Sequence, residues 1–261
     1  MRKETAKVIS QKELAESIFD LRVKTALAKE AKPGQFVNIY PKDKSKLLPR
    51  PISICEADPI EETLRLVYRV SGKKTGTEEF SAYEEGDDID ILGTLGNGFP
   101  VNEGKEKKCI LFGGGIGIPP MLELSKHLHK EKAMSVTAVL GYRSKPLFLA
   151  DDFRPYAELV VATEDGSYGT KGNVIDAVKE NSLDADIIFA CGPMPMLRGI
   201  KAYSEEKGIP AFISLEERMA CGVGACLGCV CKTKDKDEHS QVNNARICTD
   251  GPVFNAADVE I

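Results

Sequence analysis

The chain has 261 residues, enough for more than one folded unit, since domains usually hold roughly 100–200 residues. Its 35 Lys+Arg against 40 Asp+Glu give a net charge of -5, which supplies no basic surface for a nucleic-acid backbone, so nucleic acid is not an expected partner. MRKETAKVISQKELAESIF lacks the apolar core of a signal peptide, and no stretch reaches the ~18 uninterrupted apolar residues of a membrane helix; the expectation is a cytoplasmic globular protein with no membrane partner.

From the start to about residue 101 the pattern is short β-rich runs broken by turn residues: FVNIY after Pro33-Gly34, ISI after Arg50-Pro51, LRLVYRV, and IDIL after Gly86-Asp87. This predicts a small antiparallel β-barrel over 1–101. The grammar then changes to alternation over 102–214. The strand CILFG leads through Gly113-Gly114-Gly115-Ile116-Gly117-Ile118-Pro119-Pro120 into the helical stretch MLELSKHLHKEK and the strand VTAVLG. LVVAT, a helical NVIDAVKENS, the strand DIIFACG, the helix PMLRGIKAYSEEKG and the strand AFISLEE follow, which predicts an α/β unit with an open, mostly parallel sheet.

Gly114, Gly115 and Gly117, just ahead of a proline-started helix, suit the close approach of backbone to a pyrophosphate at a helix N-terminus. Cys191-Gly192-Pro193 sits at a second strand-to-helix switch and would face the same crevice. Mere close packing of strand on helix is the competing explanation for the glycines. Asp165-Gly166-Ser167-Tyr168-Gly169 and Lys171-Gly172 either line that crevice or are simply turn formers. Arg143, Ser144 and Lys145 could hold a 2′-phosphate or be a solvated basic loop, so NAD and NADP both stay open.

Residues 215–261 hold the chemistry. Of eight cysteines, Cys55, Cys109 and Cys191 are scattered, while Cys221, Cys226, Cys229, Cys231 and Cys248 crowd the tail. Without an export signal they point to metal or redox work rather than disulfides. Cys221, Cys226 and Cys229 follow C-x4-C-x2-C, and Cys248 comes eighteen residues later, the spacing of a plant-type [2Fe-2S] site. Gly222, Gly224, Ala225 and Gly228 would let backbone N–H groups turn toward the sulfurs. Zinc is the rival metal, although its sites favour paired CxxC knuckles and only one such pair is present. Cys231, two residues past Cys229 on an expected strand, is expected to point away and not to be a ligand. His127, His129 and His239 are assigned no catalytic role, the first two being expected on a surface helix.

Taken as a set, Arg50-Pro51-Ile52-Ser53, the Gly113-to-Pro120 turn and Cys191-Gly192-Pro193 resemble the ferredoxin-NADP reductase superfamily over nearly the whole chain. The resemblance implies an FAD-binding barrel in which Arg50 meets the pyrophosphate and Ser53 sits near the flavin ring, alongside Pro51 and Ile52. Val67, Tyr68, Arg69 and Val70, with Gly76 and Thr77, would complete the FAD site. Pro33-Gly34-Gln35-Phe36 and the run from Gly93 to Phe99 match further signatures, with Thr94 where a proline is usual.

The tail narrows the resemblance. The run from Glu216 to Cys226, and Cys248-x-Asp250-Gly251-Pro252-Val253-Phe254, are similar to the electron-transfer subunits of type B dihydroorotate dehydrogenase. That family implies electrons passing from dihydroorotate, oxidised on a partner FMN subunit, through the cluster and FAD to NAD, in a heterotetramer of two subunits of each kind. It implies no catalytic residue of the chain's own. Related subunits of bifurcating ferredoxin:NADP reductases and sulfhydrogenases share the layout but usually carry Asp-Gly near the position of Cys221-Gly222. A non-catalytic zinc module is the third alternative.

Overall fold

The computed structural model describes residues 2–236 and 241–261, so His239 lies outside the described residues. Its first part is a closed antiparallel barrel of β1 (Arg2–Ala15), β2 (Ile18–Lys24), β3 (Phe36–Tyr40), β4 (Arg50–Asp58), β5 (Thr63–Arg69) and β6 (Asp88–Leu95). The strand order is β1-β2-β5-β4-β3-β6, with β6 pairing back onto β1. The last four strands were legible in the sequence; β1 and β2 were not. β1 buries only Ala6 and Val8 among its fourteen residues, and β2 places Asp20 where an apolar residue would mark the pattern.

Alternation along each strand sends Val37, Ile39, Ile52, Ile54, Leu64, Leu66, Tyr68, Ile89 and Ile91 into the barrel core. The intervening residues point outward and find other partners: Cys55 and Val67 join the core of the second unit, and Phe36 and Leu95 join a core shared with the cysteine tail. A short helix, α1 (Gly76–Phe80), is capped by the Thr75 hydroxyl, which accepts from the Glu78 N–H.

The second unit alternates β7 (Lys108–Gly114), α2 (Ile118–Lys130), β8 (Ser135–Tyr142), α3 (Ala150–Phe153), β9 (Glu158–Thr163), β10 (Thr170–Lys171), α4 (Val174–Glu180), β11 (Ile187–Cys191), α5 (Met194–Lys207) and β12 (Ala211–Ser214). These strands form a parallel sheet in the order β10-β9-β8-β7-β11-β12. α2 is not a surface helix. Ile118 to Ser125 are all buried, because the helix is sandwiched between the sheet and barrel strand β4; only its last turn, with His129, reaches solvent.

The tail adds β13 (Val230–Thr233), β14 (Asn244–Arg246), β15 (Val253–Asn255) and β16 (Val259–Glu260). β15 returns to the parallel sheet as an antiparallel edge strand beside β12, and the other three form a small sheet in the order β14-β13-β16. Barrel and sheet are also tied by a buried ion network. Arg65 on β5 donates to both Asp20 oxygens, at 3.1 and 2.9 Å, to Glu56 at 2.5 Å and to Asp152 of α3 at 2.6 Å. Lys126 of α2 closes it onto Glu56. No helix among the described residues is long and apolar enough to cross a membrane.

Candidate cofactor sites

The cysteine loop folds so that backbone N–H groups face sulfur. Val223 and Cys226 each donate to Cys221 Sγ at 3.4 Å, Gly224 donates to Cys248 Sγ at 3.2 Å, and Gly228 donates to Cys226 Sγ at 3.4 Å. Burial alone would raise the Cys221 thiol, but these donors outweigh it and bring it down to about 6, so the thiolate is the resting form at neutral pH. Cys248 is the opposite case: burial, with Cys229 beside it, pushes its thiol up to about 11. The sulfurs stand in two pairs, Cys221 with Cys226 and Cys229 with Cys248.

Among the described residues no three His, Cys, Asp or Glu side chains group around a point that would hold one metal ion. Two thiol pairs suit a centre with two irons, each taking two thiolates, better than a single zinc. N–H groups already aimed at the sulfurs suit a cluster whose charge they would offset. Cys231 is half-buried, with its thiol raised by burial. The reason expected for setting it apart fails, because residues two apart on a strand share a face. Cys229 instead precedes β13, and Cys231 lies within that strand opposite Ala245.

On the barrel, Pro51 and Ser53 alternate with core-facing Ile52 and Ile54 and so share the outward face of Cys55, toward the α/β unit. Val67 and Arg69 share that orientation on β5, whereas Tyr68 points inward, stacked on Phe19 with its hydroxyl donating to Gln11 at 2.9 Å. Ile52 and Tyr68 therefore offer a bound ligand only their backbone. The Arg50 guanidinium lies over Gly76, where a Cβ would come within 2.9 Å of Nε. Beside it, Thr77 accepts from the Ser71 N–H at 3.2 Å. An arginine fork resting on a backbone with no side chain in the way suits a pyrophosphate, so these residues fit FAD.

The two strand-to-helix turns of the sheet lock into each other. A Cβ on Gly117 would lie 2.4 Å from the Cys191 backbone, and one on Gly114 would lie 2.5 Å from Met196 Sδ. Gly115 differs: its φ is +53°, and a Cβ there would meet only Arg69 Nη2, at 3.6 Å. Arg69 also faces Glu216, which follows β12. Glu216 is exposed to solvent, yet the protein atoms around it still raise its carboxyl above its usual range, and the guanidinium offsets only part of this. Cys191 is fully buried beside Glu216 with its thiol pushed well up by burial.

Arg69, Gly115, Cys191 and Glu216 thus converge on one crevice between barrel and sheet. Val70, the residue after β5, is half-buried against the barrel core, and Gly192 and Pro193 complete the second turn. The loops carrying Lys145 and Tyr168 meet through a cation–π contact of 5.3 Å at the sheet's far side. Sequence reasoning missed Glu216 as a crevice residue, since a Glu-Glu pair after a strand carries no signal. It also missed Asn38, although the polar residue interrupting FVNIY was visible.

Residues 216–260 match the family model described as the iron-sulfur cluster binding domain of dihydroorotate dehydrogenase B. The chain is 43% identical over 258 residues, 98% of each chain, to a Listeria innocua protein named dihydroorotate dehydrogenase B (NAD(+)), electron transfer subunit. A Fusobacterium nucleatum protein of the same name is 42% identical over 269 residues, covering both chains completely. Among solved structures, an NADH-dependent reduced ferredoxin-NADP oxidoreductase superposes with a TM-score of 0.85 at 32% identity, covering 98% of this chain and 89% of that one. A ferredoxin NADP+ reductase from Neisseria gonorrhoeae with bound FAD and NADP shares the fold, at TM-score 0.67 and 17% identity over 84% of this chain and 94% of that one.

Proposed function

Because the chain belongs to the family of electron transfer subunits of dihydroorotate dehydrogenase B (NAD(+)), we propose that it carries electrons from dihydroorotate, oxidised on a catalytic FMN subunit, to NAD+ in the synthesis of pyrimidines (UMP). The chain is an oxidoreductase subunit. The cofactors are a [2Fe-2S] cluster, FAD and NAD, of which the first passes single electrons, the last takes a hydride, and the flavin handles both.

The chain's own residues bind and orient. Cys221, Cys226, Cys229 and Cys248 are assigned to the cluster, with the N–H groups of Val223, Gly224, Cys226 and Gly228 steadying the sulfurs. Arg50 is assigned to the FAD pyrophosphate and Ser53 to the flavin edge, with Pro51, Ile52, Val67, Tyr68, Arg69, Val70, Gly76 and Thr77 around them. Gly114, Gly115, Gly117, Cys191, Gly192 and Pro193 are assigned to NAD. The units run from 1–101 for FAD, 102–214 for NAD and 215–261 for the cluster. A cytoplasmic complex of two such subunits with two catalytic ones completes the reading. The catalytic subunit would approach the cage where Cys226 is exposed and Leu227 beside it is 62% open to solvent.

The observation that carries this reading is the paired cysteine cage with its N–H groups turned onto sulfur. It is tested by mixing the protein anaerobically with the FMN catalytic subunit of the same organism, dihydroorotate and NAD+. NADH should form only when both proteins are present. A flavin that NADH reduces, with no NADH formed from dihydroorotate, would remove the dihydroorotate assignment and favour the ferredoxin:NADP type, which the 0.85 superposition keeps as the second reading.

A further inference from the structure

Asn38 is a polar residue at a place where the fold asks for an apolar one. On β3, Val37 and Ile39 enter the barrel core, and Phe36 points outward into the core shared with the tail. Asn38 alternates with them outward and is 0% exposed. Its Nδ2 donates to the Cys221 carbonyl oxygen at 3.2 Å; the carbonyl can only accept, so the amide orientation is set by its partner. Its Oδ1 is buried with no partner. A leucine of similar size would fill the space without an unpaired buried oxygen. What the asparagine supplies in return is the bond to Cys221, the one its side chain makes among the described residues.

The neighbours make that bond consequential. Asn38 stands directly opposite Pro51 in the β3–β4 pairing, so their side chains share the outward face on which Pro51 and Ser53 lie. One step to one side is the flavin-bearing strand, and one step to the other is the first cysteine of the cage. Gly222 allows the contact: a Cβ there would lie 2.3 Å from Asn38 Nδ2. The far end of the cage is held in the same manner. Asn97, just past β6, donates from Nδ2 to the Thr249 and Asp250 carbonyls at 3.0 Å each and from its backbone to Gly251 at 2.7 Å, next to Cys248.

We propose that Asn38, with Asn97 as its counterpart, is a positioning residue that fixes Cys221 and the cluster against the flavin-bearing strand, and so sets the rate at which single electrons pass between FAD and cluster. The inference rests on the cofactor assignments above. Electron transfer asks no proton or bond from a side chain; it asks for a short, fixed separation, which a rigid strand supplies better than a loop.

The test uses holoprotein with Asn38→Leu, Asn38→Ser and Asn97→Ala, mixed anaerobically with NADH in a stopped-flow instrument. Flavin reduction and the following cluster reduction are read in the same trace, with iron and labile sulfide contents and the EPR spectrum of the reduced cluster alongside. The flavin-to-cluster phase should slow about tenfold or more in the Asn38 variants, the scale of a small misplacement, with a changed EPR signature. The NADH-to-flavin phase is the internal reference, and Asn97→Ala should show the same pattern more weakly. Wild-type rate and spectrum in both Asn38 variants would overturn the proposal. So would loss of iron from both, since Asn38 would then build the cage rather than place it; if only Asn38→Leu loses iron, the rate in Asn38→Ser decides. A wild-type protein in which NADH reduces flavin but no cluster would instead sink the cluster assignment.

Discussion

Arg65 gives the sharpest prediction about how the two halves are held together. Its side chain is 8% exposed and Asp20 1%, so replacing Arg65 with Met strands a buried carboxylate whose remaining cation, Lys12, lies 4.0 Å away and is 66% exposed. Breaking a buried pair by removing one partner costs about 3–5 kcal/mol. At roughly 2–4 °C per kcal/mol for a chain of this size, Arg65→Met should lower Tm by about 10 °C. Asp152→Asn cuts only the arm to α3. Asp152 is 40% exposed and its charge is screened by solvent, so the loss should be about 0.5 kcal/mol. Adding Asp20→Leu to Arg65→Met removes the stranded charge and should recover part of the loss, a coupling that a double-mutant cycle reads directly. Thermal and urea unfolding of the wild type, Arg65→Met, Asp20→Leu, their double variant and Asp152→Asn measure this. If Arg65→Met costs no more than Asp152→Asn, or if the double variant is the least stable, the network does not hold a buried charge as described.

Two further outcomes follow from the site. In protein stripped of iron, Cys221 is a thiolate above about pH 6 because backbone N–H groups outweigh the effect of burial; its alkylation, followed by peptide mass spectrometry, should therefore rise through about pH 6, while Cys248, held near 11, stays unmodified at neutral pH. Equal labelling of both at pH 7 would refute the N–H assignment. Gly117→Ala places a methyl 2.4 Å from the Cys191 backbone and should cost about 3 kcal/mol in urea unfolding. Gly115→Ala meets only the left-handed backbone penalty of about 1–2 kcal/mol and should instead raise the KM for NADH; the reverse ranking would count against the crevice described here.

Much of the fold could be read from residues alone, and the exceptions have physical reasons. The parallel sheet announced itself because strands buried on both faces are continuous apolar runs, as CILFG and DIIFACG are. β1 stayed hidden because most of its fourteen residues are exposed or half-buried, and its charged side chains erase the alternation. The return of β15 to the sheet edge was also invisible: a three-residue strand beside a cysteine loop has no pattern to recognise, and only its pairing with β12 defines it.

The cofactor sites divide along a similar line. The cysteine spacing was legible because all the candidate ligands are named by one short motif and one later residue. The dinucleotide turn was legible only as a location. Gly114 and Gly117 press against Met196 and Cys191, which is the packing explanation the sequence left open, and Gly115 alone of the three turns toward the loosely filled space beside the Arg69 guanidinium. The groups that give that space its chemistry, Arg69 from β5 and Glu216 from beyond β12, stand 147 positions apart in sequence and meet only because β5 and β12 are brought to the same crevice. Asn38 belongs with them: nothing in FVNIY names Cys221, 183 positions away, as its partner. Residues that bind one cofactor through a local motif can be read from a sequence, whereas residues that set the distance between two cofactors come from different units and become visible only when the units are packed together.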